Sequence, residues 1–234
     1  MERVFLGVDL TFWGMIRFAQ WITIGGHGFK FLKDWMCQAM QAYVGFQNQE
    51  LSTGDLFWMG DLPVSVLDHV PFDALWDLHP EDFPEILIHG RRVKTPRWGQ
   101  AFGRDYRFSG QLAQSDPIPP LLDTVLNWVR AAIHEHLNGL LLNWYDGSLG
   151  HYIGKHRDKT TGMVVGSPIV TVSFGEARLF RLRKWKGTET IDFVAEHGSV
   201  FVVPYEMNKR WTHEIPKSKR YQGKRVSVTV RAFE

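Results

Sequence analysis

The chain contains one cysteine, Cys37, in 234 residues. A single thiol closes no internal disulfide and offers no CxxC knuckle. A disulfide scaffold and a structural zinc ribbon are therefore excluded, and a reducing compartment is the expected setting. Long apolar runs are missing as well. The best candidate, Phe5 to Ile24, is interrupted by Asp9 and Arg17 and does not make a transmembrane helix. Its flanks lack the basic start and small-residue cleavage pattern of a secretory signal, and a Ser-rich transit peptide does not fit either. The expectation is a monomer in the cytoplasm, or in the nucleus of a eukaryotic cell, with no membrane partner. No internal repeat and no low-complexity tract is found.

Core-forming residues, by contrast, are abundant. With 44% hydrophobic residues, 10 Trp and 16 Phe the chain folds, and its length suits one medium-sized domain with its own core while excluding two large ones. The net charge of +2 hides an asymmetry: residues 1–85 carry 4 Lys/Arg against 12 Asp/Glu (−8), and residues 86–234 carry 23 against 13 (+10). A basic domain of this kind attracts polyanions such as nucleic acid; an ordinary solvated face is the alternative. Residues 1–60 are read as an N-terminal extension, either an amphipathic segment packed on the domain or a leader, and residues 61–234 as the domain itself.

Periodicity divides that domain. Val70, Phe72, Leu75, Trp76 and Leu78 fall near helical spacing, so a short helix is expected over 68–78, ended by Pro80 and Pro84. Residues 86–110 alternate short apolar pieces with Gly and Pro, which predicts hairpins. Leu121, Leu122, Val125, Leu126, Val129 and Ile133 form the buried stripe of a helix closed by Asn138-Gly139. From Leu140 the period becomes two, and 169–174, 178–183, 191–195, 200–203, 211–215 and 225–233 read as strands. Strands without intervening helices argue against a parallel α/β sheet. A mainly β fold with flanking helices follows, as a sandwich, jelly roll or barrel.

The last strand sharpens the choice. In residues 225–231 the alternation puts Val226, Val228 and Val230 on one face and Arg225, Ser227, Thr229 and Arg231 on the other. Two readings stand. If the valines face the core of a surface sheet, the arginines lie in water. If the polar face lines the inside of a jelly roll, two guanidinium groups need a bound anion to offset their desolvation, and a dicarboxylate would fit.

His156-Arg157-Asp158 is an HxD triplet, which chance alone supplies about 0.6 times in a chain of this composition. Context gives it meaning. It follows a Gly-rich turn and leads into the strands, and on an extended segment residues i and i+2 point the same way. His213, 55 residues after Asp158 in a short strand, can complete a set of two His and one carboxylate. Such a set leaves three open positions on Fe(II) for a chelating cosubstrate and dioxygen. The other histidines compete poorly. His134 and His136 lie two apart on the expected helix, and Asn138 stands where an HExxH zinc motif needs its second His. His151 and His197 lie in turns, and His27, His69, His79 and His89 have no partner at ligand spacing.

The ordered set Asn143-Trp144-Tyr145, His156-Arg157-Asp158, Gly166 to Ile169 with Val172 to Gly175, His197-Gly198-Ser199, His213 and Arg225-x-Ser227-x-Thr229-x-Arg231 resembles the AlkB family of Fe(II)/2-oxoglutarate dioxygenases. Upstream, Thr95-Pro96-Arg97 and Tyr106 to Gly110 are similar to that family's nucleotide-recognition segment. The resemblance runs from about residue 86 to the end.

It implies a double-stranded β-helix and an enzyme that uses Fe(II), 2-oxoglutarate and O2 to remove alkyl groups from bases in nucleic acid, DNA or RNA. It also implies roles. His156, Asp158 and His213 would hold the metal. Arg225, with Tyr145 and Ser227, would take the distal carboxylate of 2-oxoglutarate, and Asn143 and Arg231 its chelating end. Arg97, Tyr106, Phe108 and Thr160 would meet the flipped-out base, and Arg91, Arg92, Lys94, Arg97, Arg104 and Arg107 would grip phosphates, with Lys184 and Lys186 beside them. His89 occupies the place of an apolar wedge.

Two positions depart from the family pattern. Ser227 replaces an Asn, and Lys159-Thr160 stands where many members carry an acidic residue toward the base. The competing readings are a 2-oxoglutarate oxygenase acting on a protein or small molecule, and a non-catalytic jelly-roll binding module.

Overall fold

The computed structural model describes residues 45–88, 90–108 and 111–234, with only the backbone of Ile88, Arg107, Phe108 and Gln111. Residues 1–44 of the expected extension, His89, Ser109, Gly110 and the Phe108 side chain lie outside the described residues.

The chain opens with the hairpin β1 (Gln47–Glu50) and β2 (Leu56–Asp61), followed by the short helices α1 (Val64–Leu67) and α2 (Phe72–Trp76). Of the helix expected over 68–78 only Phe72–Trp76 forms, and α1 lies before that range. Proline lacks the N–H that would continue a helix and is tolerated at its start, so Pro71 serves as the N-cap of α2, while α1 has already ended at Leu67. Two hairpins follow, β3 (Glu85–Ile88) with β4 (Arg91–Lys94), and β6 (Tyr106–Phe108) with β7 (Gln111–Ala113), as expected for 86–110. Between them β5 (Trp98–Phe102) joins the main sheet, with the two-residue β8 (Ser115–Asp116) parallel at its edge.

A 3-10 turn at Pro120–Leu122 leads into α3 (Asp123–Ala132), which buries Val125, Leu126 and Val129 at helical spacing. It ends before His134 and His136, which lie in the loop beyond and not on the helix. The remaining strands are β9 (Gly139–Asp146), β10 (Ile153–His156), β11 (Ile169–Gly175), β12 (Arg178–Lys184), β13 (Thr190–Ala195) and β14 (Ser199–Val203). After them come a helix that the period-two pattern did not announce, α4 (Tyr205–Arg210), and then β15 (Trp211–Ile215) and β16 (Lys224–Arg231).

Two sheets face each other. The large one has the order β1-β2-β14-β11-β16-β9-β5-β8 and the small one β10-β15-β12-β13. This is the jelly-roll arrangement: from β9 to β16 the chain passes back and forth between the two layers, with β12 and β13 a hairpin within the small one. The sheet begins before residue 60, because Ser199 to Val202 of β14 pair with Asp61 to Trp58 of β2; the boundary set there falls inside a strand.

Alternation along each strand feeds two separate interiors. Val170, Val172, Phe174, Val226, Val228, Val230 and Trp144 face outward from the large sheet onto Leu75, Val125, Leu126 and Val129 of the helices. Ile169, Phe57, Phe180, Phe201, Met207 and Trp211 fill the space between the sheets. Because β16 is central and layered on both sides, Arg225 to Arg231 are all buried. The solvent-facing reading of its arginines is therefore wrong: Arg225 is 1% and Arg231 2% exposed. Gly175 turns β11 toward β12 at φ +87, where a Cβ would collide with the Lys224 carbonyl and the Phe72 ring.

Candidate active site

Antiparallel pairing of β10 with β15 sets His156 directly opposite His213, with ring centroids 4.3 Å apart. Asp158, two residues beyond the strand, turns its carboxylate onto the same face. Its Oδ1 lies 3.6 Å from His156 Nε2 and 4.0 Å from His213 Nε2, and one ligand atom from each of the three falls within 4.8 Å of the others. His156 Nδ1 lies 2.9 Å from the Gly154 carbonyl. As an N–H donor there, it leaves the Nε2 lone pair directed at the cluster.

The electrostatics suit a cation. Burial and the adjacent His213 hold His156 down to about 3, and burial lowers His213, so both imidazoles are neutral donors at neutral pH. Burial alone would raise the Asp158 carboxyl. The Arg231 guanidinium, with the two histidines, outweighs that and holds it well below the usual carboxylate range. Arg231 Nη2 donates to Asp158 Oδ2 over 2.8 Å, so one carboxylate oxygen is occupied and Oδ1 remains for a metal. Two neutral imidazoles and one carboxylate oxygen on one face fit Fe(II).

β16 and β9 form the adjoining wall. Their register pairs Arg225 with Tyr145 and Ser227 with Asn143, which brings the four expected cosubstrate residues together beside Arg231. Arg225 Nε donates to Ser173 Oγ over 2.9 Å, its guanidinium lies 5.1 Å from the Tyr145 ring centre, and its Nη1 is buried with no hydrogen-bond partner among the described residues. A buried guanidinium with an unused donor is an incomplete site that a carboxylate completes. Burial lowers Arg225 to about 10, partly offset by Tyr145, and the nearby Arg178 lowers it further; it stays charged.

Sequence reasoning passed over several contributors. Thr229 lines the cavity between Ser227 and Arg231. Ser173 carries Arg225. Arg178 is wholly buried behind the wall, its Nη2 donating to the His151 carbonyl over 2.9 Å. For Thr229, the alternation of β16 was the available signal. For Ser173 the signal was its place in the Val172 to Gly175 piece of the ordered set, and for Arg178 only the fold supplies one.

These walls enclose a cavity of about 700 Å³. Arg97, Tyr106, Asn143, Tyr145, His156, Asp158, His213, Arg225, Ser227 and Arg231 all line it. Thr160 does not; Lys159 takes that place, because the chain turns away after Lys159 toward the Thr160–Met163 turn. Arg97 donates from Nε to Asn143 Oδ1 over 2.8 Å, which ties a residue expected at the base to the cosubstrate wall. Tyr106 is buried, with the Arg231 guanidinium 4.4 Å from its ring centre, and burial pushes its hydroxyl up to about 12. At the rim the β3–β4 hairpin contributes Ile86, Val93 and Lys94, and Arg91 and Arg92 are exposed on the same hairpin.

A jelly roll with two histidines, one aspartate and two buried arginines around one cavity defines an iron- and 2-oxo-acid-dependent class of oxygenase fold. The family model of the 2OG-Fe(II) oxygenase superfamily matches residues 88–231. The DNA oxidative demethylase ALKBH2 of Homo sapiens is 32% identical over 158 residues, covering 62% of this chain and 60% of that protein. The Bos taurus and Arabidopsis thaliana proteins of the same name are 31% and 27% identical over 62% and 69% of this chain, and 56% and 63% of their own lengths. The solved structure of OsALKBH1 superposes with a TM-score of 0.50 at 14% identity, over 80% of this chain and 100% of that one, and supports the fold. The chain belongs to the 2OG-Fe(II) oxygenase superfamily as an AlkB-type dioxygenase. It spans about three fifths of the length of the human ALKBH2 it matches.

Proposed function

We propose that this chain oxidatively removes N-alkyl groups from bases of nucleic acid, with residues 86–110 as its nucleotide-recognition segment. His156, Asp158 and His213 would hold Fe(II); Arg225, Ser227 and Tyr145 would bind the distal carboxylate of 2-oxoglutarate, and Asn143 and Arg231 its chelating end. Bound Fe(II) and 2-oxoglutarate supply, with O2, the oxidising power to hydroxylate an N-methyl carbon: one oxygen atom enters that carbon, the other enters succinate, and CO2 leaves. The resulting hemiaminal then releases formaldehyde. The protein's own share is to hold the reactants in line and to keep water from the buried floor of the cavity.

The observation that carries this reading is the shared cavity. The His156–Asp158–His213 cluster and the unused donor of Arg225 open into the same space, and a basic hairpin rims it. The relatives named as DNA oxidative demethylases support nucleic acid as the substrate class. The test is mass spectrometry of methylated DNA and RNA oligonucleotides incubated with the full chain, Fe(II), 2-oxoglutarate and ascorbate. Loss of 14 mass units per methyl group with matching succinate is the expected result. Turnover of 2-oxoglutarate with no oligonucleotide changed across the panel would move the reading to a protein or small-molecule substrate.

A further inference from the structure

Asp158 stands just beyond the end of β10, outside any ladder, so no neighbouring strand fixes its peptide. A side chain does so instead. Asn208 of α4 is 2% exposed. The Asp158 N–H donates to Asn208 Oδ1 over 3.0 Å, and Asn208 Nδ2 donates to the Asp158 carbonyl over 2.9 Å. One carboxamide thereby satisfies both main-chain groups of the residue, as a β-ladder partner would. The next residue of the helix continues the attachment: the Lys209 carbonyl accepts Arg157 Nη1 at 2.8 Å, and the Arg157 guanidinium lies 4.1 Å from the Trp185 ring centre.

We infer that Asn208 is a positioning residue for the metal, which partitions the two oxygens of Asp158 between Arg231 and the metal by fixing the Asp158 main chain; this rests on the metal site proposed above. Asn208 itself does not line the cavity. The physical reason lies in a competition. Arg231 offers a planar fork that suits both oxygens of a carboxylate, and at present it holds only Oδ2. An Asp158 whose main chain could shift would bring both oxygens onto that fork and withdraw Oδ1 from the histidines. The side chain still turns about its own single bonds, but a shift of the main chain has to break both Asn208 hydrogen bonds, so the amide fixes the Cα from which Oδ1 reaches the point where His156 and His213 converge.

The test uses Mn(II) alone as the probe, titrated calorimetrically into the full chain. Asn208→Ala is expected to weaken Mn(II) binding about ten- to a hundredfold while remaining folded, the usual range for a residue that orients a metal ligand. Adding Arg231→Lys to Asn208→Ala replaces the fork by a point charge and is expected to restore part of the affinity, which a merely structural role for Asn208 does not predict. Lys209→Ala, whose carbonyl is retained, should bind as the parent does. Should Asn208→Ala not fold, Asn208→Asp keeps the acceptor and loses the donor, and an intermediate loss is expected. A folded Asn208 variant with parental Mn(II) affinity, or one that Arg231→Lys only weakens further, overturns the inference. Failure of the underlying metal site gives a different result: Asp158→Ala would then bind Mn(II) as well as the parent.

Discussion

Arg231 and Asp158, 73 residues apart in sequence, form a buried ion pair at 2.8 Å that uses only one of the two carboxylate oxygens. The pair holds Asp158 ionised in a site where burial alone would favour the neutral acid. It also leaves a second oxygen for a cation. Removing the arginine strands a buried charge. Arg231→Leu is therefore expected to cost the metal-free protein about 3–5 kcal/mol in urea unfolding. Adding Asp158→Asn should recover part of that loss, and strict additivity of the two changes would show that the residues are not coupled.

The metal set makes a sharper demand. His156→Ala, Asp158→Ala and His213→Ala are each expected to abolish succinate formation while leaving the fold, as read by circular dichroism, intact. Unchanged succinate production in any one variant would remove that residue from the site.

At the far end of the same wall, the proposed role of Arg225 has it meet 2-oxoglutarate in ground and transition state alike, so its loss is expected to act on binding. Arg225→Ala should raise the 2-oxoglutarate requirement by about 1.5–3 kcal/mol, or roughly ten- to a hundredfold, as for a lost charge-assisted hydrogen bond. Arg225→Lys keeps the charge and loses the fork, and should fall between. The measurement is the cosubstrate dependence of succinate production.

Away from the cavity, His134 gives a pH signature. Burial, with His136 nearby, lowers it to about 4, and its Nδ1 accepts the His136 N–H at 3.2 Å. The unfolded chain protonates this histidine near pH 6.5, the folded protein only near 4, so the unfolded state binds more protons in between. Its contribution is fully present above pH 6.5 and is lost as the pH falls from 6.5 toward 4, by on the order of 3 kcal/mol. His134→Gln should flatten that part of the stability profile. An identical slope in parent and variant would mean that His134 titrates normally.

Nucleic-acid binding separates by salt. Arg91→Ala and Arg92→Ala, on the exposed hairpin, should each make the fall of log affinity with log salt shallower by roughly one unit or less, with little change in sequence preference. Tyr106→Ala should leave that slope intact. Because Tyr106 packs against Arg231, it should also lower metal-site integrity, which a pure base-stacking residue would not.

The strands from 169 onward, the helix after Pro120 and the hairpins near 86–110 were readable because each has one dominant period and a local stop signal, properties that neighbouring residues along the chain decide. Local order also carried the motifs, since His156, Asp158 and the Arg225–Arg231 alternation repeat at the spacing of an extended backbone. The sequence did not say which face of β16 is wet. Valine on one side and arginine on the other describes a surface strand and a strand between two layers equally well, and only the second sheet and the helices, packed on opposite faces, exclude water from both. The pairing of His156 with His213 is a property of hydrogen-bond register, which joins residues 57 positions apart and has no local mark. Asn208 lacked even a motif: its role exists because α4 lies against the end of β10, and that contact is made only when the chain has closed.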